Sequence, residues 1–140
     1  MLLLSNFRRF LQKTWGLLGL AAFFGLIHLL GQNLHNKLRQ QHRFTVGTIY
    51  GTHWTTKAGK FADARFFVAG KKYTVNANAD ALAGQALVGR HFLVEFHPPD
   101  PTYSVLYVGA PIPEWVAAPP AQGWDTLPFA VPEHLLLPAK

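Results

Sequence analysis

From Thr14 to Asn36 the chain runs 23 residues without a charged side chain, and the middle of that run, "WGLLGLAAFFGLIHLLG", is almost wholly apolar. At about 1.5 Å per residue a helix of this length covers roughly 30–35 Å, the thickness of a bilayer's hydrocarbon core. Basic residues border it on both sides, Arg8, Arg9 and Lys13 before and Lys37, Arg39 and Arg43 after, and Trp15 stands where an interfacial anchor would. The strictly apolar part, Leu17 to Leu30, is only 14 residues, a length shared by signal-peptide cores and buried helices. The following "GQNLHNKL" offers no small-x-small cleavage site, and there is no cysteine for lipid attachment. The expectation is an uncleaved, single-pass membrane anchor over residues 1–43. Three basic residues stand on each side, and the N-terminal amine adds a fourth to the leading segment. This places the N-terminus inside and the main domain outside the cytoplasm.

The anchor also explains the charge. The chain carries a net +6, and all of it lies in the first 43 residues, which hold six basic side chains and no acid; beyond them seven basic residues face seven acidic ones. With no net charge after the anchor there is no general attraction to phosphates, so nucleic acid is excluded as the expected partner. The absence of cysteine removes disulfides and thiolate metal sites.

Within the helix, Ala21 and Gly25 make a small-x-x-x-small pair, and His28 follows three residues later beside that face. Lipid provides no hydrophobic drive between helices, so such a face is a candidate for packing on another helix, its own copy or a partner's. His28, His35 and His42 recur at seven-residue spacing, with Gln32 and Arg39 interposed on the same stripe. Only His28 is at membrane depth, where a polar side chain needs a hydrogen-bond partner. One such histidine does not make a haem or metal site.

After Arg43 the pattern changes to period two. "FTVGTIYG" (44–51), "ARFFV" (64–68), "KKYTVNA" (71–77), "HFLVEF" (91–96) and "YSVLYVG" (103–109) are short runs rich in Val, Phe, Tyr and Thr bounded by turn residues. "VAGKK" predicts a tight hairpin, with Gly70 supplying a positive φ. Alternation puts Phe66 with Val68, Tyr73 with Val75, and Phe92 with Val94 and Phe96 into one core. Five short antiparallel strands over residues 44–110 predict a mainly β fold, a small SH3-like or OB-like barrel, with "DALAGQALVG" (80–89) as a helical turn over one end.

All ten prolines lie from Pro98 onward, seven of them from Pro111 to Pro138, so residues 111–140 read as an extended Pro-rich tail. It is too apolar for a flexible spacer: Trp115, Trp124, Phe129 and Leu135 to Leu137 either dock back on the barrel or form a strap that binds a partner.

"VGRHFLVEFHPPDPTYSVLYVG" resembles a pattern in small bacterial membrane-anchored β-domain proteins of unknown function. In it a glycine, an alternating strand ending in an aromatic, and a Pro-x-x-Pro corner precede a second strand; here these are Gly89, Phe92, Val94, Phe96, Pro98 and Pro101. "VGTIYGTH" and "GKKYTV" are similar to the same group, so the likeness covers residues 44–109. It implies an accessory β-domain tied to a membrane helix and carries over no catalytic residue.

Chemistry finds little to work with. Glu95 and His97 share a strand face near Asp100, but that face lies opposite Phe92, Val94 and Phe96 and is expected to be solvated. Asp100 before Pro101 is a turn residue. The only serines are Ser5 and Ser104, neither in a nucleophile motif, and no glycine-rich phosphate loop precedes a helix. No catalytic residue, metal site or cofactor is expected. The reading is a membrane-anchored accessory or interaction module of a bacterial envelope, held by the bilayer and by a protein partner or a second copy. The competing readings are a small-ligand binder, with an aromatic face built from Tyr50, Trp54, Phe67 and Tyr107, and a membrane-held immunity or inhibitor protein.

Overall fold

The computed structural model describes residues 2–136, with side chains described from Gly16 onward except at residues 30, 31 and 35. Trp15, the basic residues before it, and His35 therefore lie outside the described side chains, and Leu137 and Pro138 outside the described chain. The chain divides into two compact units at Asn36/Lys37. The last turn of the helix thus belongs with the β-rich unit, and so does the C-terminal segment.

In the first unit, α1 (Leu2–Gln40) is a single helix of 39 residues that continues into Gln40 of the second. Leu17, Leu18, Leu20, Phe23, Phe24, Leu26, Ile27 and Leu29 are all more than half exposed. At 100° per residue these positions point all round the axis. A helix apolar on every side has no polar face to turn to water and needs an apolar surrounding. The segment Gly16–Gln40 is long and apolar enough to span a membrane.

The second unit is built on one antiparallel sheet of β1 (Arg43–Thr55), β2 (Gly59–Val68), β3 (Lys71–Asn78), β4 (His91–Phe96) and β5 (Ser104–Pro111), in the order β3-β2-β1-β4-β5. The hairpin between β2 and β3 pairs Val68 with Lys71 across Ala69 and Gly70, both at positive φ (50° and 79°). This two-residue turn twists with the strands as hairpins require. β1 carries an irregularity between Ile49 and Gly51, where Tyr50 is the extra residue.

The sheet is not the closed barrel that the strand count suggests. β3 and β5 come within 8 Å of each other at their Cα atoms but share no ladder. Both are dressed as edges: β3 opens on Lys71 and Lys72, and β5 ends on Pro111, which has no N–H to donate. The concave side holds the expected Phe66, Val68, Phe92, Val94 and Phe96, with Tyr73 and Val75 partly buried against them, and adds Ile49, Ala62, Ala64 and Leu106. The connection from β3 to β4 seals it with Ala79 and Leu87, through a short 3₁₀ turn at Asp80–Leu82. The Asp80 carboxylate accepts the Lys60 N–H and the Asn78 amide, and these bonds hold its pKa below the ordinary value. Gly47 lets β1 and β4 close up there, since a Cβ would stand 2.6 Å from a Val94 methyl.

A second core lies on the convex side. Phe44, Leu93, Tyr107 and Ala110 are buried there beneath Ile112, Trp124, Leu127, Phe129, Val131 and Leu136. Residues 112–132 contain no helix or strand, only one bridge: Phe44 and Trp124 exchange N–H···O bonds of 2.9 and 2.7 Å. Gly123 makes that approach possible. Its φ is +77°, and a Cβ would lie 2.7 Å from the Phe44 carbonyl oxygen and 2.9 Å from the Phe96 ring.

Candidate functional site

The convex surface of the sheet is divided in two. Over β1, β4 and β5 it is roofed by the C-terminal segment; over β2, β3 and the far half of β1 it is bare. The bare part exposes Tyr50 (49%) and Phe67 (54%), with Arg65 and Lys72 also exposed on the same face of β2 and β3. Phe67 pairs with Lys72 and Asp63 with Asn76, which sets apolar, basic and amide groups side by side on one face.

A cleft of ≈ 300 Å³ opens beside this face, lined by Tyr50, Asp63, Thr74, Val75, Asn76, Thr102 and Ser104. It lies where the unpaired edge of β3 approaches the start of β5. Its lining is hydroxyls, an amide and a carboxylate, suited to hydrogen-bonding a polar group or a strand edge. His53 Nδ1 donates to Asp63 at 2.8 Å, and its ring stacks on Phe61 at 5.5 Å. His53 makes no hydrogen bond to a hydroxyl among the described residues. No group of three metal-ligating side chains occurs among the described residues.

The proposed aromatic ligand face does not assemble. Tyr107 is buried under the C-terminal segment, and its hydroxyl donates to Glu95. Burial, then the Glu95 hydrogen bond and charge, raise its pKa far above the ordinary phenol value. Trp54, 70% exposed, pairs with Lys60 at the tip of the β1–β2 hairpin and falls on the concave side of the sheet. Of the four residues, Tyr50 and Phe67 alone belong to the bare face. The three strap candidates separate as well: Trp124 and Phe129 pack on the strap's own sheet, while Trp115 is 73% exposed.

The Pro-x-x-Pro corner is structural in a way the alternation did not show. His97 is buried (4% exposed) rather than solvated, and its Nδ1 donates to the Gln41 carbonyl at 3.0 Å. The corner closes through His97 N–H to Tyr103 O and Tyr103 N–H to Asp100 O. The Thr102 hydroxyl bonds the Asp100 carboxylate at 2.6 Å and is the main reason its pKa lies below the ordinary value. Lys37 lies over the Tyr103 ring, 6.0 Å from its centre. Glu95, His97 and Asp100 thus serve three different structural bonds and form no shared site.

In the helix, Ala21, Gly25 and His28 are exposed, and nothing lies within 4 Å of where a Gly25 Cβ would be. His28 has found a partner one turn along, with its Nε2 and the Gln32 amide nitrogen 2.9 Å apart.

Comparison with protein families, with characterised proteins and with solved structures found no match.

Proposed function

We propose that this chain is a single-pass, membrane-anchored accessory module of a bacterial envelope whose β-rich unit binds an envelope or membrane protein through the face its C-terminal segment leaves bare. The observation that carries this reading is the unequal cover of one sheet. The same convex surface is sealed over β1, β4 and β5 by Trp124, Phe129 and Leu136, yet keeps Tyr50 and Phe67 exposed over β1 and β2. Exposed aromatics beside an arginine are residue types enriched at protein interfaces. The all-round apolar helix supports the membrane anchor, and its Ala21, Gly25 and His28 face supports packing on a partner's helix or a second copy. The likeness of residues 44–109 to small membrane-anchored β-domain proteins points the same way, toward a compact SH3-like or OB-like relative with a barrel left unclosed. In this reading the module stands outside the cytoplasm, an orientation supported only by the N-terminal amine, since the flanks carry three basic residues each.

Photo-crosslinking side chains placed singly at Phe67, Tyr50 and, as a control on the C-terminal segment, at the exposed Thr126 test this in full-length protein in native membranes. Adducts to one membrane or envelope protein from positions 67 and 50, and none from 126, are expected. Adducts from all three, or only from 126, would reject the bare face. The ≈ 300 Å³ cleft supports a second reading, a small polar ligand held by Asp63, Asn76 and Ser104. Thermal stabilisation by metabolite fractions that Asp63→Asn abolishes would favour it.

A further inference from the structure

A second, larger cleft, of ≈ 480 Å³, is lined by Arg39, Gln40, Gln41, His42, Arg43, Pro98, Gln122 and Asp125. Its volume falls within the range of about 300–1,000 Å³ typical of small-molecule sites. We propose that this cleft holds the headgroup of an anionic phospholipid, with Arg39 as the principal phosphate ligand; the proposal rests on the membrane-anchored reading above.

The first reason is position in the chain. The uncharged run ends at Asn36 and the lining begins at Arg39, so five consecutive cleft residues follow closely on that run, on the side where a spanning helix would have left the hydrocarbon for the headgroup layer.

The second is charge. The lining carries Arg39 and Arg43 against Asp125, a formal excess of one positive charge with His42 neutral. Arg43 is committed: one terminal nitrogen pairs with Asp125, and the other donates to the Gly123 carbonyl at 3.1 Å. Arg39 is exposed and has no ion-pair partner among the described residues, leaving its planar fork of N–H groups available for a phosphate.

The third concerns the helix end. A helix C-terminus carries partial negative charge that would repel a phosphate. Here two of the last four helical carbonyls are occupied, Lys37 O by the Gln41 N–H and Leu38 O by His42 Nδ1–H, and just beyond the helix Gln41 O accepts His97 Nδ1–H. Those bonds weaken the negative pole, while the Gln40, Gln41 and Gln122 amides add neutral donors for the glycerol and ester oxygens of a headgroup.

The test uses full-length protein in mild detergent, with native mass spectrometry counting retained phosphatidylglycerol or phosphatidylcholine of identical acyl chains. Wild type should retain phosphatidylglycerol in preference. Arg39→Gln should lower that retention roughly fivefold, the effect of removing one cation near a charged surface. Asp125→Asn should raise it by freeing Arg43. Both positions are exposed, Asp125 at 76% of its side chain, so neither change should disturb the fold. Equal retention of the two lipids, or phosphatidylglycerol retention unchanged in Arg39→Gln, would overturn the proposal. Displacement of the lipid by equimolar inorganic phosphate would overturn the lipid assignment in favour of a free anion. Carbonate extraction separates this failure from failure of the anchor. Wild type released by carbonate refutes membrane anchoring itself, whereas wild type and Arg39→Gln both held in the membrane with headgroup-blind binding refute the cleft alone.

Discussion

The two halves of the convex surface are made of the same material and treated differently. On β4 and β5, Leu93 and Tyr107 pair across strands and are roofed by Trp124, Leu127 and Phe129. On β2, Phe67 pairs with Lys72 and stands in solvent. Both halves present large apolar side chains outward, so hydrophobicity alone does not decide which half is core. What differs is the path of the chain: it leaves β5 at Pro111, and the next residues run back over β4, with Ile112 N–H bonding His91 O. Burial here follows the path of the segment, which meets the β2–β3 turn through Ala69 N–H to Ala121 O yet leaves Tyr50 and Phe67 uncovered.

The largest effect should come from Leu93→Ala. If the roof is true core, this fully buried residue should cost about 2–5 kcal/mol in denaturant unfolding, while Phe67→Ala on the bare half should stay within about 0.5 kcal/mol. Similar small losses at both positions would break the comparison, because the C-terminal segment would then be only loosely laid on.

Gly123→Ala probes the bridge that ties the roof to Phe44. The left-handed φ alone costs an alanine about 1–2 kcal/mol, and its Cβ would meet backbone and an aromatic ring at contact distances that real Cβ atoms do not reach. A loss of about 2 kcal/mol or more is expected, with Trp124 fluorescence shifting to the red as its cover opens. Unchanged Trp124 emission would show that the segment is held by side chains and not by the Phe44 bridge.

Tyr107→Phe sharpens the contrast through pH. It should cost about 1.5 kcal/mol near neutrality, the lower end for a bond to a charged acceptor. The folded state holds the Tyr107 proton more tightly than the unfolded state, whose phenol titrates near 10.0. The stabilisation is therefore fully present below about pH 10 and is lost as the pH rises above it. Wild type should lose stability relative to Tyr107→Phe across that range. Parallel curves for the two proteins up to pH 12 would mean that Tyr107 is not sealed in.

Much of the architecture could be read in advance. All five strands lie where β-branched and aromatic runs stood between turn residues. The concave core of Phe66, Val68, Tyr73, Val75, Phe92, Val94 and Phe96 follows from period two, because alternation assigns residues to faces without reference to anything distant. The hairpin at Gly70 was legible for the same local reason, although Ala69 shares its positive φ. The roof was not legible. Alternation placed Glu95 and His97 on the face opposite the core and could not say that this face is itself covered. Leu93 and Tyr107 on that face were the available signal, since a strand apolar on both sides is one buried on both sides.

The amino-acid sequence by itself determined the uncharged helix, the strand count and the concave core, each of which depends on side chains a few residues apart. Only the tertiary structure decided which convex half is roofed, that β3 and β5 stay unpaired edges, and that Arg39 and Asp125 line one cleft across 86 residues of chain. Those outcomes rest on where a proline-rich segment without regular hydrogen bonding comes to lie, and such a segment has no periodicity from which its path could be read.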